Sequence, residues 1–176
     1  IRRKLGQTAH ALTWPLLTKP DGSKYGKTAG GETIWLSSEK MSPYRFYQAW
    51  ISVDDSEVRK LLLQLTFLSP EEIDDLVTEH DQHPENRLGQ RTLAKELTTI
   101  VHGEQAAASA AEASDLLFDP SADISAVSQS ALEFISGEVP STQTQTIQMG
   151  IIDCLVETGL CQSRKDAKRA ITEGGI

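Results

Sequence analysis

Ser42-Pro43-Tyr44-Arg45-Phe46-Tyr47-Gln48-Ala49-Trp50-Ile51 is the stretch that decides the fold class. A serine followed by proline supplies a helix cap and a first helical position where the missing N–H is not needed. Phe46 with Trp50, and Tyr47 with Ile51, then pair at the spacing of one helix face. The same grammar recurs downstream. Asp54 stands where it can cap a helix whose apolar stripe is Val58, Leu61, Leu62 and Leu65. Ser69-Pro70-Glu71-Glu72 is a capping box leading into Ile73, Leu76 and Val77. Pro84 interrupts, and a further helix runs to His102 with Leu93, Leu97, Ile100 and Val101 inward and Gly103 as its stop. An Ala-rich helix from Glu104 to Leu117 follows, ended by Asp119-Pro120; its small side chains permit close helix approach. A shorter pattern of Val127, Ala131, Leu132 and Ile135 closes near Gly137. The reading is a mainly α protein with a compact helical domain over residues 40–137.

Working outward from that domain, residues 7–36 are the part that does not read as helix. Ala11, Leu12, Trp14, Leu16 and Leu17 form an apolar run suited to a buried strand, and Lys19-Pro20-Asp21-Gly22-Ser23 is a turn. A polar, Gly-containing loop runs from Lys24 to Gly31, after which Thr33-Ile34-Trp35-Leu36 suits a second short strand. Ile1-Arg2-Arg3-Lys4-Leu5-Gly6 reads as the last turn of a helix with a Gly cap, and Gly174-Gly175-Ile176 as a turn entering a strand, so both ends are expected to be cuts in a longer chain. Residues 1–39 are taken as one segment. On the other side, residues 136–146 have a linker composition of Ser, Thr, Gln, Gly and Pro, which places a linker at 138–146 and a last segment at 147–176. That segment carries a stripe of Ile147, Ile151, Ile152, Leu155 and Val156, then Ser163 as the cap of a helix from Arg164 to Thr172.

The 176 residues suffice for one ordinary domain or two small ones. No apolar run approaches the ~18 residues of a membrane span, so no membrane association is expected. A net charge of -8 argues against a protein wrapped uniformly in nucleic acid, since most of its surface repels phosphate, but leaves room for a local basic patch. The two cysteines, Cys154 and Cys161, make neither a disulfide framework nor a zinc knuckle, which fits a reducing, cytoplasmic setting.

Lys24-Tyr25-Gly26-Lys27-Thr28 is the sharpest local feature: two ammonium groups and a hydroxyl on a Gly-flanked loop, able to close over a polyphosphate and reopen. A solvated surface turn explains these five residues equally well. A P-loop is excluded, because Gly22 and Gly26 are separated by three residues rather than the required four and the loop does not open a helix. The second feature is Arg164, Lys165, Lys168 and Arg169, which share a face of the last helix while Ala167, Ala170 and Ile171 lie toward the other. A basic stripe on an acidic chain suggests a phosphate contact; a solvated helix face is the plain alternative. Other constellations read as structure. His80 and His83 read as surface histidines and no metal site is assigned; Asp74 and Asp75 do not face each other as an acid–base pair; Cys154 reads as core; Trp35, Trp50, Phe46 and Phe67 read as packing.

The run from Leu12 through Lys24-Tyr25-Gly26-Lys27-Thr28 resembles the second class I signature loop of bacterial tyrosyl-tRNA synthetases, in which Tyr25 and Gly26 replace Met and Ser of the general Lys-Met-Ser-Lys-Ser pattern and Thr28 replaces its last Ser. The resemblance continues through Gly30-Gly31, Ile34-Trp35-Leu36, Ser42 to Gln48, Trp50-Ile51, Thr66-Phe67-Leu68-Ser69, Leu93-Ala94 and Val101-His102-Gly103-Glu104. Gly159 to Arg169 resembles the opening of an S4-type RNA-binding domain.

This resemblance implies the C-terminal end of a Rossmann-like α/β catalytic domain at 1–39, a helical anticodon-binding domain at 40–137 and the start of an α/β S4 domain at 147–176. It implies an enzyme that activates tyrosine with ATP and Mg²⁺ and transfers it to tRNA(Tyr), and a homodimer formed through parts of the catalytic domain outside these residues. Lys24, Lys27 and Thr28 would hold the ATP phosphates; Arg164, Lys165, Lys168 and Arg169 would meet RNA. The His-x-Gly-His motif and the tyrosine pocket of that family do not occur here, so the piece by itself is expected to be inactive. The alternative is a non-catalytic helical RNA-binding module, which would have no use for the Lys24 to Thr28 loop.

Overall fold

Four serines start four helices in the same way: Ser42, Ser69, Ser128 and Ser163 each accept, at 3.2 Å, the backbone N–H of the residue three positions on. At Ser69 the cap is reciprocal, because the Glu72 carboxylate accepts the Ser69 N–H at 2.7 Å, which holds Glu72 below the usual carboxylate pKa. In this computed structural model the described residues are 2–6, 8, 10–13, 16–18, 22, 24, 25, 33–119, 122, 123, 125, 127–139, 141, 142 and 148–175.

Among them the helices are α1 (Arg2–Leu5), α2 (Pro43–Ile51), α3 (Asp55–Leu65), α4 (Pro70–Gln82), α5 (Leu88–His102), α6 (Glu104–Phe118), α7 (Gln129–Glu138), α8 (Ile151–Glu157) and α9 (Arg164–Thr172). The mainly α class is what the structure has. Asp54 occupies the cap position of α3, but its side chain accepts no capping bond. After α4 the Pro84 break becomes a single 3-10 turn ending on Arg87, a non-glycine residue at φ 53. The Arg87 guanidinium reaches back to the Ile51 carbonyl at 2.6 Å, which ties this turn to the end of α2.

α5 is the central helix, packed against α2, α3, α4 and α6; α2 also lies along α6, and α7 on α6. The core joins Phe46, Tyr47 and Trp50 of α2 to Val58, Leu61 and Leu62 of α3, Ile73 of α4, Leu93 and Ala94 of α5, Ala110 and Ala113 of α6 and Ala131 of α7. The alanines of α6 let its backbone come close, as the small-residue pattern indicates. At Gly89 closeness is obligatory: a Cβ there would sit 2.6 Å from Cγ1 of Val58. The bundle is fastened end to start, because Glu138 at the close of α7 accepts from Ser42 Oγ at 2.6 Å and from Arg45 Nε at 2.5 Å.

Several sequence expectations need correction. The buried face of α5 includes the polar Gln90 and Thr98, so it is rotated from the stripe that hydrophobicity alone outlines; Ile100 falls at its margin and is exposed. Thr98 Oγ1 donates to the Ala94 carbonyl at 2.7 Å and Gln90 Nε2 donates to the Asp55 carboxylate, while Gln90 Oε1 has no partner among the described residues. Leu132 is exposed because α7 turns only Ala131 fully inward. Phe67 is 91% exposed: it lies past the end of α3 at Thr66, outside any periodic face. His80 is the opposite case, 2% exposed, with Nε2 3.3 Å from an Asp55 carboxylate oxygen, within ion-pair distance but off hydrogen-bond alignment. It lies on the inner side of α4 beside Gly89, whereas His83 is exposed beside Glu85. Cys154 is half-buried rather than core.

Candidate functional site

Among the described residues the two runs expected to be strands form no sheet. Leu12 is 94% exposed, Leu16 is exposed, and Thr33 to Leu36 is irregular backbone; Trp14 lies outside the described residues. A strand is stable only when a neighbour takes up its N–H and C=O groups, and the one pairing seen among the described residues is an isolated antiparallel bridge between Thr18 and Lys24. That bridge, with Tyr25 N–H donating to the Leu17 carbonyl at 3.2 Å, makes the stem of a hairpin. Gly22 within the turn has φ +78, a conformation open to glycine at no steric cost.

The stem is held by the helical bundle. Tyr25 stacks on Trp50 of α2 with ring centroids 6.1 Å apart and planes at 21°, and Leu17 packs on the same core. Lys60 of α3 donates to the Thr18 carbonyl at 2.7 Å and to the Glu57 carboxylate at 2.8 Å. Successive carbonyls of the first limb are therefore bound from two sides, Leu17 by the opposite limb and Thr18 by α3. Burial, with the Glu57 and Asp54 carboxylates nearby, raises the Tyr25 phenol above its ordinary pKa, so it stays protonated at neutral pH. While Tyr25 is turned into the bundle, Lys24 beside it is exposed. Lys27 and Thr28 lie outside the described residues. Trp35 is not core packing but lies half open at the surface, with Lys40 Nζ 4.1 Å over its ring.

The basic helix forms as its sequence indicates. Ser163 caps α9, α9 packs on α8, and Ala167 is fully buried between them while Arg164, Lys165, Lys168 and Arg169 are all exposed. Arg164 pairs with Asp153 of α8 at 3.0 Å and Arg169 with Asp166 at 3.6 Å. Lys165 and Lys168 have no such partner among the described residues. Exposed pairs of this kind are worth up to about 1 kcal/mol, so an incoming phosphate can displace them.

Lys60, Glu57 and Trp50 are the site residues that sequence reasoning did not find in this role. Lys60 is a polar residue beside an apolar stripe, and nothing in the spacing announces a bond to a carbonyl far upstream. Among the described residues no group of three or more His, Cys, Asp or Glu side chains could hold a metal ion. No helix among them is long and apolar enough to cross a membrane.

The comparisons with known proteins place this geometry. The tyrosine–tRNA ligase of Roseiflexus castenholzii is 45% identical over 181 residues, covering 100% of this chain and 42% of its own length. That of Geobacillus stearothermophilus is 44% identical over 177 residues, and that of Listeria welshimeri 42% over 178, with the same shares of each chain covered. A solved C-terminally truncated mitochondrial tyrosyl-tRNA synthetase from Coccidioides posadasii is 36% identical, covering 57% of this chain and 26% of that one, with a TM-score of 0.49. The chain spans about 42% of the length of the curated relatives it matches. The family described as tRNA synthetases class I (W and Y) matches residues 1–119, a region that takes in the hairpin and every helix through α6. A lysine-bearing hairpin anchored on a helical bundle is thus part of one matched region, and the chain belongs to the class I tRNA synthetases of the tryptophan and tyrosine branch.

Proposed function

We propose that this chain is part of a tyrosine–tRNA ligase, which joins tyrosine to ATP as tyrosyl-adenylate and then transfers it to tRNA(Tyr). The observation that carries the reading is similarity over the whole chain, at 40–45% identity, to relatives named tyrosine–tRNA ligase. The alternative of a helical RNA-binding module without catalysis has less support, because the family match includes the hairpin as well as the helices.

Activation transfers an adenylyl group to the tyrosine carboxylate and expels pyrophosphate. Negative charge accumulates on that leaving group, so fixed cations aimed at it stabilise the transition state more than the ground state. Lys24 and Lys27 take this role, with Thr28 bonding a phosphate oxygen; the exposure of Lys24 at the end of an anchored stem supports it. ATP enters as its Mg²⁺ complex, the ion being carried by phosphate oxygens, as is usual for Mg²⁺, rather than by a side-chain cage. Arg164, Lys165, Lys168 and Arg169 contact tRNA phosphates, supported by their common exposed face. The complete enzyme is read as cytoplasmic and homodimeric.

The family includes both amino acids, which gives the test. ATP–pyrophosphate exchange by a full-length protein carrying this segment should depend on tyrosine. Exchange that depended on tryptophan instead, or on neither, would overturn the reading.

A further inference from the structure

α3 carries a pair of charged side chains, Glu57 and Lys60, that the proposed chemistry does not use. Glu57 is a carboxylate at 7% exposure, and its partner is the Lys60 ammonium. An (i, i+3) pair on a helix ordinarily contributes a few tenths of a kcal/mol and has no reason to be buried. Here the carboxylate is buried while the ammonium stays 36% exposed, and the ammonium spends a second proton on the Thr18 carbonyl, the residue bridged to Lys24.

We propose that Lys60 is a positioning residue for Lys24: by joining the Glu57 carboxylate to the Thr18 carbonyl it fixes the hairpin stem on α3, and with the Tyr25–Trp50 stack it makes the placing of the Lys24 ammonium a property of the helical bundle. The inference rests on the proposed role of Lys24 at the pyrophosphate. Lys60 itself touches no substrate. Among the described residues the attachment includes the Thr18 carbonyl on Lys60, the Tyr25 ring on Trp50, and Leu17 against the core. The first of these involves the residue bridged to Lys24, so it bears on the register of the stem, whereas the other two bear on its depth. A flexible stem would leave Lys24 to find the departing phosphate by diffusion at each turnover, and the entropy of that search would appear in the barrier.

The test separates attachment from catalysis. Trypsin does not cut Lys19-Pro20, so cleavage after Lys24 reports release of the stem, and cleavage after Lys95 within α5 reports opening of the bundle. In this 176-residue chain, Lys60→Met combined with Glu57→Gln, which leaves no unpaired buried carboxylate, should speed native-state cleavage after Lys24 about tenfold, the effect of losing one charge-assisted hydrogen bond on a locally open population. Cleavage after Lys95 should be unchanged. Lys60→Arg, which can still donate to both oxygens, should restore most of the protection. In the full-length protein the double variant should lower kcat for ATP–pyrophosphate exchange by about 10- to 100-fold, the scale of a misplaced reacting group, with KM for tyrosine unchanged.

Cleavage after Lys24 at the parent rate would overturn the attachment. Faster cleavage with unaltered exchange would overturn the positioning role while leaving the attachment standing. If Lys24→Ala itself left exchange intact, the pyrophosphate reading and this inference would fall together. A fall in kcat not rescued by Lys60→Arg would also count against the inference, because both donors would be present.

Discussion

The bundle from α2 to α7 and the hairpin stem in front of it meet the same demand in opposite ways. Within the bundle the helices supply one another's partners: Ser69 and Glu72 cap each other, Glu138 ties α7 to the start of α2, and Gln90 reaches Asp55 on the neighbouring helix. Among the described residues the stem has one bridge of its own and is held to the bundle by Lys60, Trp50 and the packing of Leu17. Self-sufficiency and dependence are divided between the part that carries stability and the part that carries the exposed lysine. If the proposed role at the pyrophosphate holds, this division lets the bundle set the position of the stem while the residues beyond it remain free of a core of their own.

The largest effect that probes this contrast is on stability. Leu93→Ala should cost about 2–5 kcal/mol, because Leu93 is fully buried at the centre of α5, whereas Leu12→Ala should stay within about 0.5 kcal/mol. Chemical denaturation of the two variants measures both. Equal losses would mean that the stem region is part of the core after all. Gly89→Ala is expected next, at about 1–3 kcal/mol, since the added methyl meets Val58 on one side and His80 on the other. A neutral outcome there would show that α3 and α4 can move apart, and would weaken the picture of a closely set bundle.

The smallest effect is a pH dependence. Burial holds the His102 imidazole below its ordinary pKa, with its ring edge-on to Phe46 at 5.0 Å. The folded state therefore favours the neutral ring and the unfolded state binds the proton more readily. The resulting stability is complete above the unfolded pKa of roughly 6.5 and is lost as pH falls through the lower folded value. His102→Leu should flatten that part of the acid limb in a series of thermal melts. An unchanged slope would assign the acid sensitivity to other groups.

How much of this was legible in the sequence follows from the same contrast. Helix starts were legible because a cap is local: Ser42-Pro43 and Ser69-Pro70-Glu71-Glu72 carry their partners within one turn. The apolar stripes of α2 and α3 were legible because burial there follows hydrophobicity. It failed on α5, where Gln90 and Thr98 are buried and donate to partners inside the bundle, and at His80, which local sequence presents as a surface residue. The two apolar runs form no ladder among the described residues, because an apolar run states a preference for burial without naming a ladder partner. The signature residues were visible as a motif, and Lys24 stands exposed in the structure while Lys27 and Thr28 lie outside its described residues. What holds Lys24 in place was invisible, since Lys60 acts across a contact 42 residues long in sequence.

Whether the Lys24 ammonium acts on the leaving pyrophosphate, as proposed, is read from single-turnover formation of tyrosyl-adenylate by a full-length protein carrying Lys24→Ala. The rate of adenylate formation should fall by about 100- to 1000-fold, the loss typical of removing one preorganised donor, while the dissociation constant for tyrosine stays at the parent value. A parent-like rate, or a loss of tyrosine affinity as large as the loss in rate, would contradict it.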